Sequence, residues 1–282
     1  MSHKSSSRTS GLASTGQALS LSLSRRRTLS SDIPWRDKEI SLDQVSKKIP
    51  NGSNIYISST AATAEATLDA LVSDAHMADI RIIQMIPGGN LPHLAQQVDR
   101  FRTSSFYSFS RGVYFAPHKE SSIEGLEDYN PVSLSAVPRL LEEGLMQVDV
   151  AIIKVTPPHK GYVSLGMGVE ATELFLRHTK KAVIAEVNEH MPWTEGHSKI
   201  KVEEIDWWVP RHTPLLTTEQ LWPEFVKQGP YPSEVREAIG RHVLKEIPTV
   251  GATLRFGVSP LSTCVLPFLK GERYDLGLHT YV

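Results

Sequence analysis

The chain has 282 residues, 40% hydrophobic and 22% charged, with 30 Lys+Arg set against 31 Asp+Glu. That balance argues against nucleic acid or an anionic membrane as the main partner, because both reward a strong basic excess. A single cysteine, Cys264, excludes an intramolecular disulfide framework and a multi-cysteine zinc site, and no stretch approaches the roughly 18 apolar residues a membrane span needs.

Residues 1–33 are crowded with Ser, carry Lys4, Arg8, Arg25, Arg26 and Arg27, and contain no acidic residue before Asp32. This is the composition of an organellar transit segment and equally of a disordered basic tail. Both readings stay open, and with them a mitochondrial or a cytoplasmic location. The globular pattern starts near Trp35. Residues 34–228 read as one α/β domain and residues 229–282 as the start of a second, incomplete one.

Ile40 to Ile49 has helical spacing and is closed by Pro50-Asn51-Gly52. Ser53 to Ser58 reads as a strand, Ala64 to Leu71 as a helix, and Ile80 to Ile86 as a second strand stopped by Pro87-Gly88-Gly89. A polar, aromatic stretch follows. Val137 to Gly144 then reads as a helix with Gly144 as its C-terminal cap. Val148 to Val155 is a continuous apolar strand, ended by Pro157-Pro158. A helix from about Glu170 to Thr179 and strands over Ala182–Val187 and Ile205–Val209 complete the domain. Apolar strands alternating with helices predict a parallel sheet covered on both faces, with ligands at the carboxyl ends of its strands.

In the second unit, Ser233 is the expected N-cap of a helix over Glu234–Leu244. A strand over Ala252–Val258, a partly helical Pro260–Leu269 and a strand beginning at Leu276 follow. The last strand is read as unfinished, which predicts a fragment.

Several residues are candidates for chemistry on their own. Cys264 sits beside Val265-Leu266 and reads as a small core residue rather than a nucleophile. Pro87-Gly88-Gly89-Asn90 reads as a tight turn rather than a phosphate cradle. Ser164-Leu165-Gly166-Met167-Gly168 precedes a helix but lacks the dinucleotide fingerprint. His159, His190 and His197 lie in polar loops without metal-ligand spacing, so no metal site is expected. Glu186, at a strand end, reads as a structural or substrate-orienting group. Of Trp207 and Trp208, one ring is expected inward and one exposed.

Three segments carry a resemblance. Asp149-Val150-Ala151-Ile152-Ile153-Lys154-Val155-Thr156-Pro157-Pro158 with Gly161-Tyr162-Val163-Ser164-Leu165-Gly166 form the first. Glu186-Val187-Asn188 with Met191-Pro192 and Thr194-Glu195-Gly196-His197-Ser198 form the second. Asp128 to Ser135 with Pro138-Arg139-Leu140 form the third. Together they resemble the acetyl-CoA hydrolase and acyl-CoA:carboxylate CoA-transferase family, including 4-hydroxybutyrate CoA-transferase, over its first half and the start of its second. The resemblance implies an α/β, CoA-transferase-like open twisted sheet, with the first domain complete and the second partial.

It also implies covalent catalysis with acyl-CoA and a small carboxylate as substrates and no bound cofactor. A glutamate carboxylate attacks the thioester to form a mixed anhydride and CoA thiolate. In the transferases the thiolate then forms an enzyme–CoA thioester, and in the hydrolases water ends the cycle. The family glutamate follows a Gly-x-His-Thr string; here Gly277-Leu278-His279-Thr280 leads into Tyr281. A phenol is neutral where a carboxylate is ionised, so Tyr281 is the catalytic-position residue but not a competent nucleophile. The family's Gly-x-Gly oxyanion turn corresponds to Gly257, Val258 and Ser259, and Ser259 resists the left-handed backbone a glycine adopts there. A fragment, a diverged relative that binds acyl-CoA or a partner without turnover, and an active enzyme remain the readings. A homo-oligomer is compatible with each.

Overall fold

The computed structural model describes residues 34–86, 97–107, 127–217, 220, 232–257 and 261–280. Its centre is a seven-stranded, all-parallel sheet. The strands are β1 (Asn54–Ile57), β2 (Ile80–Gln84), β3 (Phe101–Ser105), β4 (Glu127–Tyr129), β5 (Val148–Val155), β7 (Thr179–Val187) and β9 (Trp207–Pro210). Their spatial order is β4-β3-β2-β1-β5-β7-β9. The chain starts at the middle strand, walks out to one edge, returns to the other side of β1 and walks out again. A short antiparallel ribbon of β6 (Tyr162–Ser164) and β8 (Lys199–Lys201) stands beyond β5 and β7.

Both faces of the sheet are apolar at its centre because β1, β2, β5 and the second half of β7 carry continuous apolar runs, as a sheet covered on both sides requires. On one face, Ile55, Ile57, Val150, Ile152 and Ile184 pack under α1 (Leu42–Val45) and α2 (Glu65–Ser73), which contribute Val45, Leu68, Leu71 and Val72. On the other, Tyr56, Ala151, Ile153, Val155 and Ala185 pack under α3 (Val137–Glu142) and α4 (Thr172–Arg177), with Val137, Leu141 and Phe175. Trp208 is fully buried there against Trp35, ring centroids 5.1 Å apart. Trp207 faces the opposite way, half-buried, with the Lys48 ammonium 3.7 Å from its ring centre.

Gly144 has φ +70° and its N–H donates to the Leu141 carbonyl, so it closes α3 in the left-handed conformation expected of a cap. Three local expectations are corrected. Only Leu42–Val45 is α-helical between Ile40 and Ile49; Ser46–Lys48 tightens into a 3-10 turn. α4 is shorter than the sequence suggests. The Thr179 hydroxyl donates to the Phe175 carbonyl at 2.8 Å and the chain turns at once into β7. The third concerns α5 (Ser233–Glu246), whose cap position is Pro232, with Ser233 already helical and no side-chain cap bond made.

Strands β3 and β4 fall in the stretch whose sequence is polar and aromatic. Thr103, Ser104 and Ser105 are nonetheless buried, and Asn130 Nδ2 donates to Ser104 Oγ at 2.8 Å and to the Ser105 carbonyl at 3.0 Å. A hydroxyl-rich strand can be internal when a neighbour satisfies it.

In the C-terminal segment, β10 (Thr253–Phe256) pairs in parallel with β11 (Gly277–Thr280). α5 packs on the 261–269 segment, which includes α6 (Leu266–Leu269). At Gly240 a Cβ would lie 2.3 Å from the Cys264 carbonyl oxygen, so only glycine permits this approach.

Candidate functional site

The reversal of strand order falls between β1 and β5. In an open parallel sheet the loops leaving two such strands diverge to opposite faces and leave a crevice at their carboxyl ends. Here the loop after β1 is Ser58-Ser59-Thr60, and the loop after β5 begins at Thr156. Ser58 N–H donates to the Ile152 carbonyl at 3.1 Å, and Ser58 Oγ accepts from Lys154 N–H at 3.2 Å while donating to the Ala62 carbonyl at 2.6 Å. Ser59 Oγ accepts from Met85 and Ile86 N–H at 3.1 and 3.2 Å, which ties the end of β2 to the same turn. Thr60 is held at φ +52° and is buried. Left-handed backbone at a residue other than glycine is sparsely populated and persists only where the surroundings over-determine it.

Glu170 turns its carboxyl inward to this turn. Both carboxylate oxygens are buried without a well-formed hydrogen bond. Burial pushes the carboxyl up to about 7, opposed by the Ser59 hydroxyl. Tyr56, from β1, stacks on Phe175 at 4.1 Å, and its hydroxyl shares a 2.6 Å bond with Thr172 Oγ1. Burial, with the Glu170 charge behind it, drives the phenol well above its ordinary range. This face of the sheet thus buries a carboxyl that titrates near neutrality beside a phenol that does not ionise there.

On the opposite face, at the same carboxyl end, Lys154 of β5 and Glu186 of β7 are register partners. Lys154 Nζ lies 3.5 Å from Glu186 Oε1, with both side chains almost wholly buried. This is an ion-pair contact rather than a formed hydrogen bond, since Oε1 has no hydrogen-bond partner. Glu186 Oε2 accepts from Thr67 Oγ1 at 2.7 Å and from Thr67 N–H at 3.1 Å. Thr67 is in the first turn of α2, so the carboxylate caps that helix from a strand 119 residues away. Glu186 is therefore committed to holding α2 against β5 and β7, the structural role of the two expected for it.

The loops beyond β5 and β7 are joined by hydroxyls. Ser164 Oγ bonds the Thr194 carbonyl at 3.0 Å and accepts from Gly166 N–H at 3.1 Å and Thr194 N–H at 3.0 Å. Thr194 Oγ1 in turn contacts the Gly166 carbonyl at 3.0 Å and Ser198 Oγ at 2.9 Å. Gly166 has φ +59°, and a Cβ there would lie 2.9 Å from the Pro192 carbonyl oxygen and 2.3 Å from the Met191 side chain. Gly166→Ala is expected to lower stability by about 1–3 kcal/mol through backbone strain and crowding together. Denaturant unfolding checks this, and a change within error would show that the two loops are not locked here.

Of the residues singled out from sequence, Gly257 follows β10 and lies in open space, with nothing within 4 Å of an added Cβ. Val258, Ser259 and Tyr281 lie outside the described residues, as does Pro87-Gly88-Gly89-Asn90. The register Phe256↔Thr280 ends β10 and β11 at the same level. Cys264 is partly buried and unpaired. His190 and His197 are exposed, while His159 packs edge-on to Trp193 at 5.7 Å. Among the described residues no cluster of His, Cys, Asp or Glu could hold a metal ion, and no helix is long and apolar enough to cross a membrane.

Sequence reasoning did not single out Glu170 or Lys154. A lysine and a glutamate at matching places near the ends of two apolar strands were a legible signal for the pair. Nothing local marked Glu170, whose carboxyl is buried only because its loop folds back on β1.

Residues 22–216 match the model of the acetyl-CoA hydrolase/transferase N-terminal domain. The chain is 31% identical over 249 residues to a 4-hydroxybutyrate coenzyme A transferase of Clostridium kluyveri, covering 87% of this chain and 54% of that protein. It is 29% identical over 237 residues to a succinyl-CoA:acetate/propanoyl-CoA:succinate CoA transferase of Fasciola hepatica, covering 82% and 46%. The chain thus spans about half the length of the curated relatives it matches. Among solved structures, RipA from Yersinia pestis superposes with a TM-score of 0.67 at 25% identity, over 87% of this chain and 56% of that one. A 4-hydroxybutyrate CoA-transferase from Porphyromonas gingivalis gives 0.61 at 22% identity over 87% and 54%, a likeness of fold. The match of the family model across the parallel sheet and its carboxyl-end loops places this chain in the acetyl-CoA hydrolase/transferase family.

Proposed function

We propose that the protein takes part in CoA exchange between a short-chain acyl-CoA and a carboxylate, or in hydrolysis of that acyl-CoA, and that this chain supplies the α/β half that binds and orients the thioester. The observation that carries this reading is the family match over residues 22–216. The reversal of strand order between β1 and β5 is where an open α/β sheet generally receives a ligand, and its turn is built by the buried Ser58, Ser59 and Thr60 with the Glu170 carboxyl beside them. A covalent route needs a carboxylate to attack the thioester carbonyl. The carbon–sulfur bond breaks, CoA leaves as thiolate, and a mixed anhydride remains on the enzyme. Glu170 is not offered as that nucleophile, because its carboxyl oxygens are buried and the group is half-neutral near pH 7.

A second reading, binding of acyl-CoA without turnover, is favoured by Tyr281, which follows the Gly277-Leu278-His279-Thr280 string where the family has its glutamate. One experiment separates the two. The purified protein is incubated with acetyl-CoA, with and without acetate or succinate, while free thiol is followed and adducts are located by mass spectrometry. Thiol release or a covalent CoA adduct is expected, at a residue other than Tyr281. Binding of acetyl-CoA without either product would replace turnover with the binding reading. Absence of binding by the folded protein would overturn both.

A further inference from the structure

The β6–β8 ribbon and the loops leading into it from β5 and β7 line an open surface cleft of about 370 Å³, formed by His159, Lys160, Tyr162, Trp193, Glu195 and Lys199. That volume lies within the range of small-molecule sites, about 300–1,000 Å³. The cleft stands at the carboxyl ends of adjacent strands, on the ligand side of a parallel sheet. Its walls are set before any ligand arrives, because the Ser164, Thr194 and Ser198 hydroxyls bind one loop to the other.

The chemistry of the lining is aromatic and cationic. Trp193 Nε1 donates to Glu195 Oε1 at 2.8 Å, which orients the indole and satisfies its one polar atom. His159 supports the same ring edge-on. Lys199 Nζ pairs with Glu195 Oε2 at 2.9 Å, so that carboxylate is already neutralised. Lys160 makes no ion pair or hydrogen bond among the described residues, and its ammonium is the uncompensated charge of the cleft. A flat ring to stack on indole and an anion to meet an ammonium are what such a lining takes.

We propose that this cleft binds a phosphorylated adenosine, with Trp193 stacking on the base and Lys160 holding a phosphate. Two sources share that chemistry. One is the nucleotide head of CoA, which rests on the reading proposed above. The other is a free adenosine nucleotide, which does not.

Lys160 also offers an unusually clean test. It sits at φ +50° and Gly161 at φ +80°, and His159 and Tyr162 exchange backbone bonds of 2.7 and 3.1 Å around them. Two consecutive positive φ values in a two-residue turn favour glycine. Lys160→Gly therefore removes the ammonium while relieving the backbone, so misfolding does not confound the outcome.

The experiment is isothermal titration of the full chain with adenosine 3′,5′-bisphosphate, AMP and unphosphorylated adenosine. The bisphosphate is expected to bind, and Lys160→Gly to weaken it about tenfold without lowering the melting temperature, the loss typical of one charge-assisted bond. Trp193→Ala is expected to weaken bisphosphate and adenosine alike. Preference for the bisphosphate over AMP marks the CoA head as the source, and equal binding marks a free nucleotide. No binding to the unmodified protein, or binding that neither substitution weakens, overturns the proposal. The readout is independent of turnover. Thiol release from acetyl-CoA with an inert cleft leaves the family chemistry standing, and nucleotide binding without acetyl-CoA binding does the reverse.

Discussion

Glu170→Gln is expected to stabilise the protein by about 3 kcal/mol above about pH 7.5 and to change nothing below about pH 4.5. The reason is the inward carboxyl. Burial raises it from 4.5 to about 7 in the folded chain, with only the Ser59 hydroxyl opposing. As pH rises through 4.5 the unfolded chain gives up this proton while the folded chain keeps it, so the folded state binds more protons and stability falls. The fall continues to about pH 7, where the folded carboxyl ionises as well, and stability is then flat with respect to this group. A neutral amide of the same shape never carries the charge, so the variant lacks this slope. Thermal or denaturant unfolding across about pH 4–8 reads it directly. Parallel profiles for the two proteins would mean that the carboxyl finds a partner or reaches water in the folded state. The charge also bears on Tyr56, which lies next to it in the electrostatics of the site.

Removing either member of the Lys154–Glu186 pair should produce the second large effect. Both side chains are almost fully buried, and Glu186 also takes both Thr67 donors at the start of α2. Lys154→Met leaves the carboxylate without its counter-ion, and Glu186→Leu leaves the ammonium without one and uncaps α2. Each is expected to cost about 3–5 kcal/mol, because a lone buried charge is far more expensive than a buried pair. For a domain of this size that corresponds to a fall of about 10 °C in melting temperature. The double variant Lys154→Met with Glu186→Leu should cost clearly less than the two single changes added, since it leaves no orphan charge. Additive losses would show that the two groups do not interact, and a loss below 1 kcal/mol for Lys154→Met would place its ammonium in water.

What the amino-acid sequence determined by itself was set by local pattern. β1, β2, β5, β7 and β9 are short apolar runs ended by glycine, proline or polar clusters, and a run such as Val148–Val155 needs cover on both faces whatever surrounds it. Gly144 was legible as a cap because a left-handed residue after a helix has few alternatives. The ordered blocks between Asp128 and Ser198 carried the family for the same reason: they are continuous wording that needs no fold to be read.

Only tertiary structure decided the rest, and each case turns on a polar group whose partner is distant in sequence. Phe101–Ser105 reads as polar until Asn130 meets its hydroxyls and carbonyls. Glu186 reads as a strand-end carboxylate with a structural or a substrate-orienting role until Thr67, 119 residues earlier, is seen to donate twice to one of its oxygens. Glu170 reads as an ordinary residue at a helix entrance until its loop folds onto the β1 turn and strips its carboxyl of water. Apolar burial follows from the side chain itself, roughly in proportion to its area. Polar burial is settled by which donors and acceptors the finished fold brings within about 3 Å.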